Sequence, residues 1–152
     1  MLYFYIMKIE IDQSGKVEYT ATHTIVGDSL GNSFLLKAQD KRKLLQFYRL
    51  IGKPRIFAFE VFAIITAYLI QLSFRSEHQY IIDREYIGKE NDIKRFLLLS
   101  LSDLHIPIYK DQIHFGLISK KSKAHKTAYY EYIKPTKSYI MTTKKIIRLI
   151  HP

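Results

Sequence analysis

A chain of 152 residues that is 47% hydrophobic and 25% charged can bury a core of its own as one domain, and its composition excludes wholesale disorder. The absence of cysteine excludes a disulfide framework, a zinc-finger site and thiol catalysis, and a reducing cytoplasm is the expected location. Lys and Arg total 24 against 14 Asp and Glu, a net charge of +10, which suits a protein that meets a polyanion or one with a lysine-rich solvated surface.

In chain order, the first forty residues predict a β-meander. Residues 2–12 form the first strand, Ser14 and Gly15 a turn, and residues 16–26, rich in Thr, Val and Tyr, a second strand. Residues 28–32 read as a hairpin loop and residues 33–38 as a third strand. Asp40 is placed to cap a helix carrying Leu44, Leu45, Phe47, Tyr48 and Ile51, which Gly52, Lys53 and Pro54 end. A nearly all-apolar helix spans residues 55–74. Tyr80 to Asp83 is a short buried strand, residues 89–101 a helix, and residues 112–118 a fifth strand. Ser122 caps a helix that Pro135 breaks, and a short strand at 139–141 and a helix capped by Thr142 or Thr143 close the chain. The pattern predicts an α/β fold with a mixed five-stranded sheet flanked by helices. Residues 1–152 form a single domain, with a small strand-helix addition at 136–152.

The apolar stretch 56–72 would be about 25 Å long as a helix, slightly short of a hydrocarbon core. Glu60 inside it would be costly in lipid, so a buried core helix is expected and no membrane partner. Residues 1–6 carry neither a basic leader nor a small-residue cleavage site, so no secretory signal is expected.

Two strands end in an acid. Ile9-Glu10-Ile11 leads to Asp12, and Tyr80-Ile81-Ile82 leads to Asp83, with Glu85 two residues on. In a basic chain, carboxylates gathered at strand ends repel one another unless a cation lies between them. The positive charge is itself uneven: residues 37–55 hold seven basic residues and one acid, and residues 116–152 hold nine and one. Two basic segments around an acidic centre suggest a phosphate-binding surface.

With Ile9-Glu10-Ile11-Asp12-Gln13-Ser14-Gly15 in the first strand, Ile81-Ile82-Asp83 in the fourth and Lys120-Lys121-Ser122-Lys123-Ala124-His125 at the start of a late helix, the chain resembles the ribonuclease H-like superfamily of nucleases. The resemblance rests on element order and these few residues. It implies a nuclease that hydrolyses phosphodiester bonds in structured or duplex DNA or RNA with Mg²⁺ or Mn²⁺. Asp12 would bridge the ions, Asp83 would be a second ligand, and His125 would ligate an ion or orient water. The third carboxylate would be Glu60, where ribonucleases H place a glutamate, or Glu85, if its side chain shares the Asp83 face. Glu60 is preferred, because a lone acid in an apolar helix needs a partner or a metal. Glu10, on the Asp12 face, is a further option. Lys120, Lys121, Lys123 and Lys126 would contact phosphates.

Structural roles compete with each assignment. Asp12 could serve the Ser-Gly turn, Asp83 could pair with Arg84, and Glu60 could form a buried ion pair with Arg55 or a lysine. His125 and its lysines could be an exposed helix face. Tyr129, Tyr130 and Tyr132 could stack bases or pack on the sheet. The alternative functions are a non-catalytic nucleic-acid-binding protein on the same fold and an interaction protein with an acidic partner. No phosphate-binding glycine loop, HExxH pair or GxSxG elbow is present.

Overall fold

The computed structural model describes residues 7–151 and holds a six-stranded mixed sheet flanked by helices. Strands β1 (Lys8–Ser14), β2 (Thr24–Asp28) and β3 (Ser33–Leu36) form the antiparallel meander. Helices α1 (Ala38–Leu50) and α2 (Phe57–Ser73) follow, the second entered through a 3-10 turn at Pro54–Ile56. Strand β4 (Gln79–Asp83), helix α3 (Glu90–Asp103), strand β5 (Ile113–Gly116) and helix α4 (Lys123–Ile133) come next. Strand β6 (Tyr139–Met141) and helix α5 (Thr143–Ile147) end the chain. The sheet order is β5-β4-β1-β2-β3-β6, with β4 parallel to β1, β5 parallel to β4, and β6 parallel to β3.

The expected five strands become six, because β6 extends the sheet along the β3 edge instead of standing outside it. Part of the expected first strand, residues 2–6, lies outside the described residues. The second strand begins at Thr24, later than expected, because residues 16–23 are taken up by turns. Lys41 holds them there: its buried ammonium donates to the carbonyls of Lys16 (3.1 Å) and Tyr19 (2.9 Å). Asp40 does not cap α1. It lies in the first turn, and its carboxylate accepts from the Thr143 hydroxyl (2.6 Å), tying α1 to α5. Two expected caps are present: Ser122 accepts from the Ala124 amide and Thr142 from the Lys145 amide.

Period-two alternation divides the sheet into two different faces. Ile9, Ile11, Val26, Tyr80 and Ile82 point into the main core with α2 and α3. Helix α2 is buried at almost every position from Phe57 to Ile70, although Pro54–Ser73 is by length and composition apolar enough to cross a membrane. The other face of the sheet carries Glu10, Asp12, Ile25, Gly27 and Asp83, and α4 packs on it against β1, β2 and β3. Ile25, Leu35 and Ala128 form a small second cluster there. Helix α4 lies very close to the strands at Gly27: a β-carbon at that position would come within 3.0 Å of the Ala128 nitrogen and of the Thr127 methyl. Glycine eases this close approach, since a side chain would press on the helix at that height above the acids.

A carboxylate cluster at the ends of two parallel strands

The parallel register of β1 and β4 pairs Lys8 with Gln79 and continues to Ile11 with Ile82. One residue further, it sets Asp12 beside Asp83 on the face under α4, on strands that lie about 4.8 Å apart. Glu85 joins them just past the end of β4, where its amide bonds the Asp83 carbonyl (2.9 Å) and curls the chain back. One ligand oxygen from each of Asp12, Asp83 and Glu85 lies within 4.8 Å of the others. Of the two expected third carboxylates, Glu85 is the one at this position.

Asp12 is only 4% exposed. Its Oδ1 accepts from the Gln13 amide (2.8 Å), and its Oδ2 is 2.9 Å from His125 Nδ1. Burial pushes the Asp12 carboxyl above its ordinary range and Asp83 adds to the rise, while the bonds from His125 and Gln13 oppose it. Glu85 is pushed up to about 7, by burial first and then by the charges of Asp83 and Asp12, with Lys16 partly compensating. Asp12 and Glu85, both held toward the neutral form with Asp83 beside them, mark a site that gains from a cation. The donors are all hard oxygens, the set that suits Mg²⁺ or Mn²⁺ and not a thiophilic metal. The Asp/Asp/Glu cluster could therefore hold one such ion.

Three tethers draw the loop between β5 and α4 over these acids. The Ile118 amide donates to Asp83 Oδ1 (2.8 Å), the Ser122 hydroxyl to Glu10 Oε1 (3.0 Å), and His125 meets Asp12. Lys120, Lys121, Lys123 and Lys126 lie along this segment and are all exposed, so the basic run borders the cluster. Glu10 shares the Asp12 face, but its carboxylate is engaged by Ser122 and is not among the three clustered acids.

Glu60 stands elsewhere. It is buried in the first turn of α2, where the Tyr48 hydroxyl donates to its Oε1 at 2.6 Å. Burial raises its carboxyl above the usual range, and the Tyr48 bond and the charges of His151, Lys53 and Arg95 work against that rise. None of the clustered acids is among those neighbours. Glu60, expected to complete the metal-ligand set, is not in the group of Asp12, Asp83 and Glu85 and bonds instead a tyrosine from the preceding helix.

Some features of the site were not read from the sequence. The Ser122 to Glu10 bond joins the α4 cap to β1, and nothing in the sequence signals it beyond Ser122 being a cap. The ring of His125 lies parallel to that of Tyr129, with an interplanar angle of 9° and centroids 5.9 Å apart. Their spacing of four residues on a helix was the available signal. On the other face of the sheet, Gln13, Tyr86 and Glu18 form a polar chain in which the Tyr86 hydroxyl lies 3.4 Å from Gln13 Oε1 and 3.2 Å from Glu18 Oε1.

Comparison with family models, with curated proteins and with solved structures finds no match to this chain.

Proposed function

We propose that the chain is a divalent-metal-dependent nuclease of ribonuclease H-like architecture, hydrolysing phosphodiester bonds in structured or duplex nucleic acid. One observation carries this reading: Asp12 and Asp83, 71 positions apart in the chain, lie side by side toward the C-terminal ends of adjacent parallel strands and meet Glu85 within 4.8 Å. Support comes also from the order of the first five strands, an antiparallel meander followed by two parallel additions on the β1 side. The proposed ion is Mg²⁺ or Mn²⁺, held by Asp12, Asp83 and Glu85. Bound there, it would supply an activated water and neutralise charge on the phosphate and leaving oxygen.

The chain's own groups have separate tasks. Asp12 is held rigid by the Gln13 amide, so its second oxygen is aimed toward α4. His125, bonded to that oxygen, positions the carboxylate and gives the site a group able to orient water or carry a proton. Exposed Lys120, Lys121, Lys123 and Lys126 bind the flanking phosphates and raise the local concentration of a polyanion.

A second reading, a non-catalytic nucleic-acid-binding protein, is favoured by the same His125 to Asp12 bond, since a protonated histidine can stand in for a cation beside that acid. The two readings separate under Mn²⁺ titration. The nuclease reading expects metal-dependent stabilisation of about 2.7 kcal/mol at a hundredfold excess over the dissociation constant. It also expects that Asp12→Asn loses this stabilisation and at least about 100-fold in cleavage rate while nucleic-acid affinity stays. Equal cleavage by the variant and the parent excludes the site.

A further inference from the structure

Beyond the acids, the face of α4 that looks away from the sheet is aromatic and basic. Buried Ala124, Ala128 and Glu131 mark the side that packs on the strands. His125, Tyr129 and Tyr130 lie off that side, Tyr129 being 47% exposed and Tyr130 63%. The rings form a continuous series that begins at the carboxylates. Asp12 bonds His125 at 2.9 Å, His125 is parallel to Tyr129 at 5.9 Å, and Tyr129 and Tyr130 have their centroids 5.9 Å apart with planes tilted by 58°. Exposed Lys123, Lys126 and Lys134 are interleaved with them along the same helix.

Solvent-exposed tyrosines interleaved with lysines are poorly suited to an apolar protein partner, which would have to bury the ammonium groups unpaired. A nucleic acid strand meets both needs at once, with phosphates for the lysines and ring faces for the tyrosines. Paired bases within a duplex keep their faces inside the stack, so only unpaired or extruded bases can use such rings.

We propose that Tyr129 and Tyr130 form a stacking platform for unpaired nucleobases beside the Asp12, Asp83 and Glu85 carboxylates, so that the favoured ligand has single-stranded nucleotides flanking the point of cleavage. The inference rests on the nuclease reading for its meaning, but its binding step needs no metal.

The test is a binding measurement in EDTA with two probes: a 12-nucleotide single-stranded DNA carrying 2-aminopurine, and the duplex of the same length. Stacking on tyrosine should quench the 2-aminopurine of the single strand. The double variant Tyr129→Ala/Tyr130→Ala should lose this quenching and about 10-fold or more in single-strand affinity, with duplex affinity changed less than about twofold. Tyr129→Trp/Tyr130→Trp should retain the quenching, because a ring face is restored. Equal losses on both probes, no loss on either, or no single-strand binding by the parent would each overturn the platform. So would a parent dimer that the alanine variant dissolves while oligonucleotide affinity stays constant, which would make this face a contact between copies. Failure of the nuclease reading is a separate result: the strand-selective loss persists, yet the parent cleaves nothing in Mn²⁺ and is indistinguishable from Asp12→Asn.

Discussion

Glu60 and Glu85 show how the same side chain acquires different roles from its surroundings. Glu60 is buried with one strong neutral donor, the Tyr48 hydroxyl at 2.6 Å, and its raised carboxyl pKa follows from desolvation. Glu85 is raised to about 7 by burial together with two nearby carboxylates, and only that second circumstance calls for a cation. Glu60→Gln should therefore leave Mn²⁺-dependent cleavage within about twofold of the parent. An amide oxygen still accepts from Tyr48, so the stability cost stays under about 1 kcal/mol. Tyr48→Phe should cost more, roughly 1–3 kcal/mol, by stranding a buried acceptor. Urea unfolding of both variants, with cleavage assayed in parallel, checks the assignment. Loss of cleavage in Glu60→Gln with stability intact would return Glu60 to the proposed metal site. The sequence made Glu60 conspicuous as an acid in an apolar helix. It did not show that a tyrosine twelve residues earlier would fold back against it, because that contact depends on how α1 packs on α2.

At the scale of elements, the site depends on α4 being held against β1 and β2. Gly27 admits the helix backbone, Ser122 bonds Glu10, and the far end of the helix is locked by Glu131. That carboxylate, only 4% exposed, accepts from the Thr136 hydroxyl (2.9 Å), the Ser138 hydroxyl (2.8 Å) and the amides of Thr136 and Ser138. Burial alone would raise its pKa, but the bonds from Ser138, Thr136 and Lys137 outweigh burial and bring it to about 2. A carboxyl whose folded pKa lies below its unfolded value stabilises the fold fully above the unfolded value near 4.5. That contribution fades as pH falls from there toward 2. The parent should consequently lose more melting temperature between pH 6 and pH 3 than Glu131→Gln does, and at pH 6 the variant should be the less stable by roughly 1.5–3 kcal/mol. Parallel pH profiles for the two proteins would rule this out. The elements themselves were largely legible, because β1 and β4 are apolar runs that carry an acid toward their C-terminal ends and α4 follows a serine cap. The second strand was less so. Residues 16–23 have strand-forming composition, yet Lys41, from a helix not yet formed in sequence order, takes up two of their carbonyls. Burial lowers the pKa of that lysine to about 8. β6 was placed outside the sheet because three residues have too little alternation to announce a pairing partner; its register with Phe34, Leu35 and Leu36 is set by the Glu131 turn that precedes it.

For the whole molecule, the relevant contrast is between a net charge of +10 and a local knot of three acids. Long-range attraction to a polyanion comes from the lysines, whereas the acids repel phosphate at close range until a cation intervenes. Binding and cleavage should for this reason separate cleanly. Without metal, affinity for duplex DNA should fall steeply with salt, the logarithm of the binding constant dropping by about 0.9 for each phosphate neutralised per decade of salt. Lys120→Ala/Lys121→Ala should weaken binding about equally for unrelated sequences and make that slope shallower by up to about 2, since those side chains border the cluster without reading bases. Asp12→Asn should leave the slope unchanged, or raise metal-free affinity slightly by removing a negative charge. A salt titration of the three proteins on one duplex decides the matter. If the lysine variant kept the parental slope, the phosphate track would have to lie elsewhere, with the basic residues of 37–55 the next surface to test. If Asp12→Asn alone flattened the slope, the acids would be shaping the binding surface itself, and the division of labour between a basic rim and an acidic centre would fail.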